Sequence, residues 1–191
     1  MPEVTEGELT FTFPDGWDAT QADDWSHYRN QFAKHFDSIQ HCCKKCQTAI
    51  ACPSCEAKIA LGAKCIDILA VNGNVTWLIE IKDYRMHQRT KTINIADEIA
   101  VKVRDALAMV LTASKNANDP TEKTVAAKAI NSTKFRVVLH LEQRTTPSKL
   151  FPRAIDPADV LQRLKQLLKS VDPHPLVSEI GKMQGLPWEV A

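Results

Sequence analysis

The feature that most constrains this chain is a pair of apolar, β-rich runs, LGAKCIDILAV and VTWLIEIKDY, separated by Asn72-Gly73. Asn-Gly between such runs predicts a β-hairpin, because both residues tolerate positive φ. Side chains alternate along a strand, so Cys65, Asp67 and Leu69 share one face, and Leu78, Glu80 and Lys82 share one face of the next strand. A two-residue loop at Asn72-Gly73 pairs Val71 with Asn74. It sets Asp67 opposite Leu78 and Glu80 opposite Cys65, with Asp67 and Glu80 diagonal neighbours on a common face. A loop of odd length would separate them.

Two carboxylates converging within apolar strands repel each other unless a cation lies between them. Mg²⁺ (or Mn²⁺) takes hard oxygen ligands, keeps several waters and joins phosphates. A lysine two residues past Glu80 faces the same way, where it can orient a water or stabilise a developing anion. A lone E-x-K is common in proteins. The apolar flanks and the preceding Asp67 are what single this one out.

These residues, Asp67 and then Glu80-Ile81-Lys82 after a hairpin, resemble the PD-(D/E)xK nuclease superfamily. Ile66 stands where that family often has proline. The resemblance implies a restriction-endonuclease-like α/β/α sandwich with a mixed sheet. It further implies catalytic Asp67, Glu80 and Lys82, with Mg²⁺ held by Asp67, Glu80 and the backbone carbonyl of Ile81. The activity implied is metal-dependent hydrolysis of phosphodiester bonds, with DNA as substrate, in restriction, repair or mobile-element processing. A dimer would be needed to cut both strands symmetrically. An acid on the first helix, for which Asp37 is one option, and Lys102 on the helix after the motif fill auxiliary positions. The rival expectation is a non-catalytic, zinc-stabilised nucleic-acid-binding module on the same scaffold.

The remaining elements follow from periodicity. Leu9, Phe11 and Phe13 alternate as an edge strand before the turn at Pro14-Asp15-Gly16. A helix is expected from Thr20–Asp23 to about Gln40, with Trp25, Tyr28, Phe32, Phe36 and Ile39 on one face. Asn94 caps a helix over 95–114, with Asp97 and Glu98 in its first turn. Residues 115–133 read as a loop with a short helical stretch, 135–142 as a buried strand, and 158–171 as a helix opened by Asp156-Pro157. The tail reads as a surface wrap. His140 is expected to be a core histidine, Glu142 to cap its strand, and Cys65 and the four tryptophans to be packing residues.

Six cysteines fall between positions 42 and 65. Cys43, Cys46, Cys52 and Cys55 form two CxxC pairs, and four thiolates suit tetrahedral zinc. The expectation is a single domain over 1–191 carrying a small Cys-rich zinc knuckle at 41–56. His41 and Cys42 are substitute ligands. An Fe–S cluster and a redox pair are the alternatives.

The net charge of +1 conceals an asymmetry: residues 1–24 hold seven acids and no Lys or Arg, which leaves +8 on the rest. A basic body is compatible with a nucleic-acid partner. Arg85, Arg89 and Lys91, just past the E-x-K, are candidate phosphate contacts beside Lys102. The N-terminus, MPEVTEGELT, is acidic and polar, and no apolar run spans a bilayer, so a cytoplasmic location is expected.

Overall fold

The computed structural model describes residues 1–33, 63–87, 89–144, 155–183 and 185–191. Five strands form a mixed sheet in spatial order β3-β4-β5-β6-β7: β3 (Asp18–Gln21), β4 (Ile68–Asn72), β5 (Val75–Asp83), β6 (Lys134–Glu142) and β7 (Leu176–Ser178). Strand β4 runs antiparallel to both its neighbours, β3 and β5, and β5, β6 and β7 run parallel. A second, three-stranded antiparallel sheet joins β1 (Glu3–Glu6), β2 (Leu9–Thr12) and β8 (Glu189–Val190).

Strand alternation divides the core into two layers. Leu69, Val71, Leu78, Val137, Leu139 and Leu141 face the helices. Ile68, Ala70, Ile79, Ile81 and Val138 face the small sheet, where they meet Leu9, Phe11, Phe13, Trp17 and Trp188. The fold is thus α/β with a mixed five-stranded sheet. Among the described residues, the second face is covered by strands rather than by the helices of an α/β/α sandwich.

Helix α1 (Ile95–Asn116) begins where expected: Asn94 accepts the Ala96 N–H, and Asp97 and Glu98 occupy the first turn. It buries Ile99, Val103, Ala106, Val110 and Ala113 on the sheet. Helix α2 (Pro120–Ile130) is longer than the short helical stretch expected within the loop over 115–133. Asp119 accepts from the Thr121 and Glu122 N–H groups and Pro120 opens the helix, a cap pattern that outweighs a polar, weakly amphipathic composition. Helix α3 (Pro157–Leu167) is capped by Asp156.

The expected first helix is corrected at its start. Thr20 lies in β3, paired with Leu69, because the edge of the sheet needs a strand there. Helical structure begins only after Trp25 and includes a π-helical turn over Tyr28–Ala33. Its continuation, with Asp37, lies outside the described residues. The tail is not a plain surface wrap: it supplies β7 to the large sheet and β8 to the small one.

Candidate functional site: a buried acid–lysine cluster

The hairpin turns at Gly73-Asn74, one residue later than the sequence pattern suggests, with Asn72 paired to Val75 and Gly73 at φ 55°. The loop still has two residues, so the face parity survives. Leu69 pairs with Leu78. Two residues further along this register, past Ile68 and Ile79, Asp67 falls directly opposite Glu80, not diagonal to it. Asp67 Oδ2 accepts the Ile81 N–H at 2.6 Å, and its backbone carbonyl accepts the Ala22 N–H at 2.9 Å, so this residue ties β4 to both neighbours.

Both carboxylates face the helix layer. There Lys102, one position before the buried Val103 on α1, reaches down between them. Its Nζ lies 2.7 Å from Glu80 Oε1 and 3.2 Å from Asp67 Oδ1. Lys82 Nζ also contacts Glu80 Oε1 and lies 3.2 Å from the Ile81 carbonyl oxygen. The Glu80 side chain is fully buried, and its Oε2 has no hydrogen-bond partner. Burial, reinforced by Asp67, pushes the Glu80 carboxyl up to about 7 against the pull of the two lysines. Burial works against the Lys102 ammonium, but Glu80 and Asp67 outweigh it and hold its pKa above the usual lysine range.

Sequence reasoning missed Asp23. It follows Ala22, whose N–H is bound to Asp67, and burial together with the charges of Asp67 and Glu6 raises its carboxyl to about 6. A third acid thus adjoins the cluster from the β3 side, not from the first helix. Cys65 is buried beside it, and burial raises its thiol pKa well above the ordinary range, as befits a packing residue.

The other basic candidates are tied to acids. Arg85 forks onto Asp83, with Nη2 at 2.6 Å and Nε at 3.0 Å. Arg89 donates to Glu98 at 2.9 Å and to Tyr84 Oη at 3.0 Å, and Lys91 also binds Glu98. Burial alone would raise the Glu98 carboxyl, but these partners bring it down to about 2. His140 is buried, with Nδ1 3.2 Å from Ser178 Oγ and Nε2 3.0 Å from Glu142 Oε1. Cys43, Cys46, Cys52 and Cys55, with His41 and Cys42, lie outside the described residues.

The donor set does not fit the expected Mg²⁺ centre. The position between Asp67 and Glu80 is spanned by the Lys102 ammonium, and the Ile81 carbonyl faces Lys82 Nζ. Among the described residues, no group of three His, Cys, Asp or Glu side chains is placed to hold a metal ion. When Glu80 takes up a proton, Lys82 and Lys102 face one negative charge fewer in this core of the cluster. Lys82 and Lys102 keep 17% and 15% of their side chains exposed, so an approaching anion meets these ammonium groups and not the buried Oε2.

Fold and site together define an α/β domain with a buried acid–lysine centre on the helix side of a mixed sheet. No family model and no solved structure matches the chain. Among curated proteins it is similar to a cysteine–tRNA ligase of Neisseria meningitidis, 28% identical over an alignment of 218 residues that takes in 100% of this chain and 30% of that protein. The chain therefore spans less than a third of the relative it matches. This finding overturns the nuclease expectation and the hydrolase and endonuclease class with it: the named relative is a ligase, which joins its substrates. Among the described residues no helix is long and apolar enough to cross a membrane.

Proposed function

We propose that this chain is an RNA-directed module of a tRNA-ligase-type protein, and that its acid–lysine cluster receives a phosphate of the tRNA. The observation that carries the reading is the convergence of Lys82 and Lys102 on a fully buried Glu80 whose Oε2 is unpartnered and whose carboxyl is raised to about 7. Two ammonium donors beside a carboxyl that is half protonated near neutral pH form a set suited to phosphate oxygens. The relative's name supplies the nucleic acid, tRNA in place of the DNA expected from the sequence. The +8 excess outside residues 1–24 supplies attraction only at short range, since the whole chain carries +1.

The order of acid, hairpin and E-x-K supports a scaffold similar to the PD-(D/E)xK superfamily, retained here as a single-domain fold and not as a cleavage activity. The two CxxC pairs are assigned to one structural zinc, for which metal analysis should return about one zinc per chain.

Fluorescence anisotropy with tRNA and with duplex DNA, at fixed salt, tests the reading. Wild type should prefer tRNA by about tenfold, and Lys82→Ala should weaken tRNA binding and lower the salt slope by about one. Equal binding of DNA and tRNA, or a slope unchanged in Lys82→Ala, would sink it.

A further inference from the structure

One strand away from the acid–lysine cluster, on the same face of the sheet, lies a cavity of about 450 Å³. It sits over the carboxyl ends of the parallel strands β6 and β7, beside the start of α3. Open α/β sheets bind their ligands in such crevices. Its volume falls within the range of about 300–1,000 Å³ usual for small-ligand sites. Leu141 and Val177, both facing the helix layer, provide an apolar floor, with Pro157 beside them. Asp156 and Glu179 bring two carboxylates to the lining, against one lysine, Lys182, which lies 2.7 Å from Glu179.

Two relationships fix what such a cavity can take. Among the described residues its lining carries two acids against one base, so it suits groups that donate hydrogen bonds. It is also continuous in the ladder with the cluster, because Leu141 is the β6 partner of Lys82 on β5. Neighbouring strands lie about 4.8 Å apart, so the cluster on β4 and β5 and the cavity over β6 and β7 are about 5–10 Å apart, a span that one nucleotide covers from phosphate to base.

We infer that this cavity is a nucleoside subsite: it receives a base bearing an exocyclic amine, stacked on Leu141 and Val177, while Lys82 and Lys102 hold that nucleotide's phosphate. The inference rests on the phosphate reading of the cluster and adds which part of the nucleotide is selected. Adenine and cytosine present an amine to Asp156 or Glu179, whereas uracil presents a carbonyl oxygen at the same edge. The carboxylates repel that oxygen, so the site discriminates among bases.

Calorimetric titration with AMP, UMP and inorganic phosphate tests it on the full chain. Ala158 lines the cavity from an exposed position on α3, so Ala158→Trp fills the space without burying new side chain in the core. Wild type should bind AMP about tenfold tighter than UMP and than phosphate. Ala158→Trp, checked for fold by circular dichroism, should lose that advantage and keep its affinity for phosphate. Lys82→Ala should weaken phosphate and AMP alike while preserving the preference for AMP over UMP. AMP binding no tighter than phosphate, or unchanged in folded Ala158→Trp, would overturn the subsite even if tRNA binds. Selective AMP binding without any tRNA binding would uphold the subsite and remove the tRNA reading instead.

Discussion

The Lys102 ammonium stands 2.7 Å from Glu80 Oε1, so a helix residue fills the position that two facing strand carboxylates would otherwise leave to a metal ion. It also reaches Asp67 at 3.2 Å, with only 15% of its side chain exposed. Removing one member of a buried ion cluster leaves uncompensated charge, which costs about 3–5 kcal/mol. Lys102→Met should therefore destabilise the protein by about 3 kcal/mol at pH 8, and by less at pH 5, where Glu80 is protonated. It should also open the pair to a divalent cation. Urea unfolding with and without Mg²⁺ checks both points: Mg²⁺ should stabilise the variant more than the wild type.

Asp67 has a structural task besides its charge, since its Oδ2 accepts the buried Ile81 N–H. Asp67→Ala orphans that donor and should cost about 2–3 kcal/mol, whereas Asp67→Asn keeps an acceptor and should cost about 1 kcal/mol. Equal losses in chemical denaturation would show that charge, not the hydrogen bond, sets the cost.

The pH dependence follows from two raised carboxyls. Glu80 stands at about 7 and Asp23 at about 6, against ordinary values of 4.5 and 3.8. A carboxyl raised by folding holds its proton more tightly in the native state, so its contribution is full below the ordinary value and is lost as pH rises through the raised one. Stability should thus fall between about pH 4 and pH 7 from these two groups. Asp23→Asn should remove the Asp23 share, raising the thermal midpoint at pH 8 and leaving it unchanged near pH 3. Its half-exposed position limits the gain to about 0.5 kcal/mol.

The helical segment after Trp25 is capped from across the structure. The Ser26 and His27 N–H groups donate to Glu122 of α2, at 2.6 and 3.1 Å. Losing a capping acceptor costs about 1 kcal/mol, so Glu122→Ala should destabilise by about that amount and raise amide exchange first at residues 26–29. Exchange that accelerates within α2 alone would contradict this assignment.

Much of the fold was legible because its signals are local. The two-residue turn and strand alternation place Asp67 and Glu80 on one face, and Asn94 and Asp156 mark helix starts by their own side chains. The turn position was off by one residue. Gly73 takes the positive φ, and Asn72 remains in the ladder, which converts a diagonal pair into a direct one. The tail strands were illegible because β7 and β8 are only three and two residues long and are specified by their partners, β6 and β2.

The sequence by itself determined the central hairpin, the capped helices and the shared face of Asp67, Glu80 and Lys82, because turn chemistry and strand parity act over a few residues. Only the tertiary structure decided what those residues do together. Lys102 is 35 positions from Asp67 and stood in the sequence only as an auxiliary candidate on the following helix, yet packing of α1 on the sheet drives its ammonium between the carboxylates. Asp23 joins them through the β3–β4 pairing. Whether two buried acids meet a metal or an ammonium depends on which side chain the opposing layer delivers, and no local pattern encodes that.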